Sequence, residues 1–271
     1  MISFTERAAV EALAREAGAL ALEHFAGHAS LAVDAKGPLD LVTEADRAVE
    51  ALLARRLAAL FPDDGVFGEE GAATAGRSGR TWVVDPIDGT FNFVRRGDQW
   101  AVSIGLHADG VPRFGVIYAP VRDQLFSGGD GLPATLDGAP LPALGAFDPG
   151  RGSVGVGLHP AIPATERAAV LRTLMGEAGL TIRCCGSATI SLMEVATGQV
   201  DGYVGMGEST WDVMAALPIL TSLGAKDTLD WSNVSLRDKL RFVTGSADLF
   251  ARLPNLARLF EPSSLGVAPV R

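Results

Sequence analysis

Two segments near the start of the chain repeat their apolar residues at helical spacing. The first covers residues 4–25, where Ser3 and Glu6 match a capping box. The second covers residues 44–60 and stops at Phe61-Pro62. We therefore predict two amphipathic helices. Their inward positions are Phe4, Ala8, Leu13, Ala17, Leu20, Ala21, His24 and Phe25 in the first, and Val49, Leu52, Leu53, Leu57 and Leu60 in the second.

Short apolar or alternating segments follow these helices and indicate strands. Asp109-Gly110 separates two of them, and Asp137-Gly138 follows the last one, as turn signals do. The predicted strands cover 81–84, 100–106, 114–118, 124–127 and 134–136.

After Gly150 the pattern changes to strands that alternate with helices, which indicates an α/β layer. The Gly- and Pro-rich stretch 138–152 suggests a boundary, so we predict an N-terminal half, 1–148, and a C-terminal half, 149–271. Pro218 predicts a kink in the third of the later helices. The strands are 152–158, 181–185, 200–206 and 241–244, and the helices are 165–178, 188–197, 211–223 and 248–253.

Composition excludes several classes of protein. The 271 residues carry a net charge of −9 and no basic stripe with interleaved aromatic residues, so we predict no nucleic-acid partner. No apolar run approaches the roughly 18 residues that span a bilayer, and the first residues lack a signal-peptide pattern, so we predict no membrane partner. The only cysteines, Cys184 and Cys185, are adjacent and cannot build a disulfide framework, which favours a cytoplasmic location.

The segment Asp85-Pro86-Ile87-Asp88-Gly89-Thr90 is the first candidate for chemistry. A buried strand ends at Asp85, and two carboxylates three residues apart can converge across a turn. Hard cations such as Mg²⁺ prefer such oxygen ligands. A turn in which both acids are solvated explains the pattern equally well, so this segment alone decides nothing.

Three further segments carry carboxylates, and a structural role without any metal explains each of them when it is taken alone. The glutamates of Gly68-Glu69-Glu70-Gly71 are typical of a solvated loop. Asp212 opens an apolar helix, where an anion is favoured by the helix dipole. Thr43 and Asp46 open another helix as a capping-box variant.

The order of these segments along the chain resembles the inositol monophosphatase family, within the Mg²⁺-dependent, lithium-sensitive sugar and polyol phosphatases. The resemblance runs from about residue 5 to about residue 250. It implies a mixed α/β fold, a layered αβαβα sandwich. The matching segments are Asp40-Leu41-Val42-Thr43-Glu44-Ala45-Asp46, Gly68-Glu69-Glu70, Trp82 to Phe93, Ala101-Val102-Ser103-Ile104-Gly105, Gly186-Ser187-Ala188 and Trp211-Asp212-Val213-Met214-Ala215-Ala216.

The resemblance implies a site for two to three Mg²⁺ ions. Glu69, Asp85 and the backbone carbonyl of Ile87 would hold the first ion. Asp85, Asp88 and Asp212 would hold the second, with Asp85 bridging. A third, weaker ion would lie near Glu69, mostly held through water.

The same resemblance makes Thr90, Asp46 and Glu69 the catalytic residues. Thr90 would hydrogen-bond the attacking water, and Asp46 would accept from Thr90 and complete a proton path. The N–H groups of Gly89 and Thr90 would hold phosphate oxygens at the start of a helix. Lys36 corresponds to a family lysine near the third ion.

Substrate contacts are less well defined by the resemblance. Gly186, Ser187 and Ala188 match the segment that lines the substrate ring, and Asp212 borders the substrate. Inositol-specific members carry a glutamate seven residues before the Trp-Asp aspartate, whereas this chain has Gly205 there. Glu208 is a possible replacement, from a shifted loop, and Arg183 is another possible substrate contact.

Three functions therefore stay open. The first is a Mg²⁺-dependent phosphomonoesterase of a small polyol phosphate, with myo-inositol 1-phosphate as the default, acting as a homodimer. The second, favoured by Gly205, is a histidinol-phosphate or broad sugar-phosphate phosphatase of the same fold. The third is a non-catalytic, metal-binding dimeric scaffold.

Overall fold

The computed structural model describes residues 1–27, 33–37 and 40–260. Its helices are α1 (Phe4–Ala26), α2 (Glu44–Leu60), α3 (Thr90–Val94), α4 (Ala164–Arg172), α5 (Ala188–Ala196), α6 (Thr210–Val213), α7 (Ala216–Ser222) and α8 (Ala247–Arg252). Its strands are β1 (Val33–Gly37), β2 (Asp40–Thr43), β3 (Gly65–Gly68), β4 (Ala73–Thr74), β5 (Arg80–Asp88), β6 (Ala101–Ala108), β7 (Val111–Ala119), β8 (Gln124–Gly129), β9 (Leu132–Leu136), β10 (Ala139–Pro140), β11 (Ser153–Leu158), β12 (Thr181–Arg183), β13 (Gly202–Ser209), β14 (Ala225–Asp227) and β15 (Lys239–Ser246).

Two large sheets separate three layers of helices. The first sheet has the order β10-β9-β8-β7-β6-β5-β3-β4, and the second has the order β12-β11-β13-β15-β14. Helices α1 and α2 pack on one face of the first sheet. Helices α5 and α7 lie between the sheets, and α4 and α8 cover the outer face of the second sheet. The predicted mixed α/β sandwich is confirmed, and the first sheet ends before β11 begins the second.

The two N-terminal helices form where the apolar spacing predicts them, but three of the predicted inward residues, Phe4, Ala8 and Leu60, are exposed. Ser3 and Glu6 make the predicted capping box at α1. Thr43 caps α2, and its hydroxyl accepts from the N–H groups of Ala45 and Asp46. Both helices therefore begin at residues whose side chains satisfy otherwise unpaired backbone donors.

Several predicted boundaries are corrected by the structure. In the segment predicted as one helix over 165–178, the α-helix ends at Arg172, and a π-helical turn, Thr173–Glu177, follows it. The helix predicted over 211–223 is two helices, α6 and α7, with a break at Met214-Ala215. Pro218 has no N–H to donate to the carbonyl four residues earlier, that of Met214, so the break comes one turn before the proline.

The apolar helices stop well short of a membrane span. Among residues 1–27, 33–37 and 40–260, each helix is too short or too polar to cross a bilayer. The division at residue 148 stays a prediction, since one apolar cluster joins Ile117 and Phe126 of the first sheet to Tyr203 and Phe242 of the second.

Candidate metal centre

A β-bulge brings two acidic side chains to one face of β5. Asp85 pairs with Ser103 of β6 and Asp88 pairs with Ala101, so three steps on β5 oppose two on β6. Residues three apart on a regular strand point to opposite faces, and the extra residue of a bulge reverses this. Both side chains therefore point the same way, and both are buried, with 1% and 8% exposure.

The third acidic side chain, Asp212, is delivered by the short helix α6. Its Oδ2 accepts from the N–H of Ser209 at 2.6 Å, which fixes the carboxylate at the helix start. The break after α6 lies directly on Gly105 and Gly115, which pair across β6 and β7. A Cβ at Gly115 would lie 1.9 Å from the carbonyl oxygen of Ala215. Two glycines thus let the backbone after Asp212 approach the sheet closely.

These three carboxylates form one cluster. Each of Asp85, Asp88 and Asp212 offers an oxygen, and these oxygens all lie within 4.8 Å of one another. Burial raises the pKa of all three, and the charges of their neighbours raise the pKa of Asp85 and Asp212 further. These ligand atoms are all oxygens, and their negative charge is largely removed from water, so the cluster is suited to bind a hard divalent cation.

Glu69 lies on the loop that follows β3 and reaches the same cluster. Its charge and a side-chain hydrogen bond raise the pKa of Asp85, after burial as the main cause. The loop is held by Glu50 of α2, whose carboxylate accepts from the N–H of Glu70 at 2.7 Å and that of Ala72 at 2.8 Å. Glu50 is 4% exposed, so this buried carboxylate fixes the loop rather than meeting solvent.

Sequence reasoning missed Glu50, although its position carried a signal. Glu50 follows Asp46 and Val49 and precedes Leu53 and Leu57 on the inward stripe of α2. A glutamate on an otherwise apolar helix face is rarely buried without a partner. That placement could have identified it as a residue that supports the site.

Thr90 and Asp46 meet beside the cluster. The Thr90 hydroxyl lies 3.3 Å from Asp46 Oδ1 and 3.2 Å from the carbonyl oxygen of Ile87. The other oxygen of Asp46 accepts from both the N–H and the hydroxyl of Thr43. Burial raises the pKa of Asp46. Gly89, with φ of 96°, precedes Thr90 at the start of α3.

The N-terminus of α5 holds Asp88 in place. Asp88 Oδ2 accepts from the Ser187 hydroxyl at 2.6 Å and from the Thr189 N–H at 2.6 Å. The Ser187 oxygen in turn accepts from the N–H of Ile190. The single hydroxyl proton of Ser187 is therefore directed at a carboxylate, and its predicted contact with a substrate hydroxyl stays a prediction.

A cavity of about 290 Å³ opens beside Asp88. Gly186, Ser187 and Ala188 line one wall, as the sequence comparison predicts. Glu208 lines another wall and accepts from the Tyr203 hydroxyl at 2.5 Å. The remaining lining residues are Phe91, Val156, Gly157, Leu158, His159, Pro160 and Cys184.

Two other predicted contacts fall elsewhere. Arg183 of β12 forms an ion pair with Glu194, N to O 3.0 Å, and does not line the cavity. Its predicted substrate contact stays a prediction. Lys36 falls in β1, and its side chain lies outside the part of the chain that the structure describes.

The chain is similar to known proteins over most of its length. A family model for the inositol monophosphatase family matches residues 3–243. Inositol monophosphatase 1 of Xenopus laevis is 33% identical over 221 residues, which cover 78% of this chain and 78% of that protein. Histidinol-phosphatase of Chlorobaculum parvum is 35% identical over 217 residues, which cover 78% of this chain and 81% of that protein.

The fold has close counterparts among solved structures. The crystal structure of the extragenic suppressor protein suhB from Bartonella henselae has a TM-score of 0.84 with this chain at 27% identity. The match covers 94% of this chain and 98% of that one. With a family match over nearly the whole chain and the carboxylate cluster at the predicted place, the chain belongs to the inositol monophosphatase family of phosphoric monoester hydrolases.

Proposed function

We propose that this enzyme is a Mg²⁺-dependent phosphatase of a small polyol monophosphate, with myo-inositol 1-phosphate as the default substrate. The observation that carries the proposal is the cluster of Asp85, Asp88 and Asp212, whose oxygens lie within 4.8 Å of one another. Three clustered carboxylates are costly to bury unless a cation compensates them. The family match supplies the reaction class, hydrolysis of a phosphoric monoester.

The family resemblance suggests how the ions would be held. Glu69, Asp85 and the carbonyl of Ile87 would hold one ion. Asp85, Asp88 and Asp212 would hold a second, and a third, weaker ion would lie near Glu69. Bound Mg²⁺ ions supply positive charge that offsets the phosphate and make nearby water more acidic. This assignment is supported by the raised pKa of Asp85 and Asp212, which their acidic neighbours and burial both cause.

The chain's own residues would handle the proton of the attacking water. Thr90 is within 3.3 Å of Asp46, so the hydroxyl can donate to Asp46 while its oxygen accepts from water. Burial raises the pKa of Asp46, which suits a group that shares a proton. The N–H groups of Gly89 and Thr90, at the start of α3, would donate to phosphate oxygens, where negative charge develops in the transition state.

A second candidate is histidinol phosphate. Two observations favour it: the chain has Gly205 where inositol-specific relatives carry a glutamate, and a histidinol-phosphatase is 35% identical. The chemistry at the phosphate would be unchanged, and only the leaving alcohol would differ.

The homodimer and the cytoplasmic location also stay predictions. Light scattering coupled to gel filtration tests the homodimer.

Phosphate release from a substrate panel tests the proposal. The panel is myo-inositol 1-phosphate, histidinol phosphate, glycerol 2-phosphate, fructose 1,6-bisphosphate and adenosine 3′,5′-bisphosphate. We expect Mg²⁺-dependent turnover of at least one monophosphate, loss of turnover in EDTA, and loss in Asp88→Asn. Asp227→Asn is the matched control, since Asp227 is a half-buried carboxylate on β14, outside the site, whose pKa is raised by burial. Full turnover by Asp88→Asn would refute the site assignment.

A further inference from the structure

A bulge in β13 turns Glu208 toward the cavity. Met206 pairs with Arg241 of β15 and Glu208 pairs with Leu240, so Gly207 is the extra residue, with φ of 94°. Without the bulge Glu208 would share a face with Met206. With it, Glu208 shares the face of Tyr203 and Gly205, which is the face that borders the cavity.

Two glycines leave the volume that the Glu208 side chain fills. Gly205 and Gly157 pair across β13 and β11. A Cβ at Gly205 would lie 2.9 Å from Glu208 Cγ. A Cβ at Gly157 would lie 1.6 Å from Glu208 Oε1 and 2.1 Å from the Tyr203 hydroxyl oxygen. The carboxylate of Glu208 can occupy this position only because neither strand carries a side chain there.

The Glu208 carboxylate is held by hydrogen bonds with the Tyr203 hydroxyl and the Asp212 side chain. Tyr203 is 1% exposed and donates to Glu208 Oε1 at 2.5 Å. Glu208 and Asp88 are the two acidic residues that line the cavity, and no lysine or arginine stands among the described lining residues. Lys239 interacts with the charge of Glu208 from outside that lining. A carboxylate accepts hydrogen bonds and repels anions. This wall therefore suits a leaving group with hydroxyl or ammonium donors and disfavours one with a second phosphate.

We propose that Glu208, held by Tyr203 and given room by Gly157 and Gly205, selects the leaving alcohol of the substrate. The selected esters carry a hydroxyl or ammonium group that donates to Glu208, and bisphosphates are rejected. This inference rests on the proposed phosphatase function and adds the substrate class: monophosphates of polyols or amino alcohols.

The test is a ratio of kcat/KM values within each protein variant. myo-Inositol 1-phosphate is compared with cyclohexyl phosphate, which has the same ring and no hydroxyl donors. Because both esters use the same phosphate and metal machinery, the ratio isolates the leaving group. We expect the wild-type ratio to exceed that of Glu208→Ala by about ten- to hundredfold, the range for a hydrogen bond to a charged group.

Three further measurements sharpen the test. Gly157→Ala should lower the ratio as Glu208→Ala does, because its methyl group displaces the carboxylate. Asp227→Ala, which removes a half-buried carboxylate on β14, should leave the ratio unchanged. Glu208→Gln keeps an acceptor and loses the charge. It should therefore retain more activity on inositol 1-phosphate than on histidinol phosphate if the donor that matters is an ammonium group.

The outcomes separate this inference from the function on which it rests. A wild-type enzyme that hydrolyses both esters with equal kcat/KM overturns the selection by Glu208 and leaves the phosphatase intact. Equal losses on both esters in Glu208→Ala also overturn it, since they indicate a structural role. A wild-type enzyme that releases phosphate from neither ester with Mg²⁺ overturns the proposed function, and this inference with it.

Discussion

Replacing Asp85 with asparagine should stabilise the metal-free enzyme while abolishing its activity. Burial raises the pKa of Asp85, and the charges of Glu69, Asp88 and Asp212 raise it further. Asparagine keeps the Oδ1 that accepts from the N–H of Ile87 at 3.0 Å. The substitution thus removes a buried negative charge and preserves the local hydrogen bond.

The size of the effect follows from the separations in the cluster. Two unit charges 4.8 Å apart repel by about 3.5 kcal/mol at an effective dielectric constant of roughly 20. Asp85 has two such neighbours, Asp88 and Asp212. Its raised pKa means that proton uptake already relieves part of the repulsion. We therefore expect a gain of about 1–3 kcal/mol, which corresponds to roughly 2–10 °C in Tm for a chain of this size.

Thermal unfolding at pH 8 provides the assay, first in EDTA and then over a Mg²⁺ titration. Wild-type protein should gain Tm as Mg²⁺ is added, since a ligand that binds the native state stabilises it. Asp85→Asn should begin higher and respond far less. Asp227→Asn is again the control and should follow the wild type. A lower Tm for Asp85→Asn in EDTA, together with an unchanged Mg²⁺ response, would refute the reasoning.

Three other variants or conditions test neighbouring parts of the account. Ser187→Ala removes the hydroxyl that donates to Asp88 at 2.6 Å and that caps α5. It should therefore lower the unfolding free energy by about 1–2 kcal/mol and raise the Mg²⁺ concentration for half-maximal activity about tenfold; an unchanged metal dependence would contradict this. Gly115→Ala places a methyl group 1.9 Å from the Ala215 carbonyl oxygen and should lower the unfolding free energy, measured in urea, by about 1–3 kcal/mol. Gly145→Ala, whose methyl group would meet no atom within 4 Å, should be nearly neutral, and equal effects of the two variants would contradict close packing at Gly115. In EDTA, the Tm of the wild type should fall as pH rises from 5 to 8, because the folded state raises the pKa values of Asp85, Asp88 and Asp212 and so binds their protons more tightly than the unfolded chain does. This stabilisation is complete below the ordinary carboxyl pKa and is lost as pH rises through the raised values; a Tm that rises over the interval would contradict these shifts.

Local signals were sufficient to predict the two N-terminal helices, and the family resemblance indicated the clustered acids. Helix α2 occupies 44–60 as predicted because its cap, its apolar spacing and the terminating Phe61-Pro62 all lie within the segment itself. The acids were recognised because Asp85, Asp88 and Asp212 stand in segments whose order resembles one family. The first kind of information lies within one contiguous segment, and the second lies in the order of several short segments along the chain.

The features that depend on pairing between distant segments were not predictable in this way. The bulge that aligns Asp85 with Asp88 exists only against β6, and the bulge that turns Glu208 inward exists only against β15. The role of Gly157 depends on a side chain 51 positions later on another strand, Glu208. Sequence patterns describe one strand at a time, so register shifts between strands escape them.

The most direct test of the central claim is phosphate release from myo-inositol 1-phosphate by EDTA-treated enzyme during a Mg²⁺ titration. The account predicts no release without metal, a saturable increase as Mg²⁺ is added, and no recovery by Asp88→Asn at any Mg²⁺ concentration. Full turnover in EDTA, or turnover by Asp88→Asn equal to that of Asp227→Asn, would contradict a mechanism that depends on this carboxylate cluster.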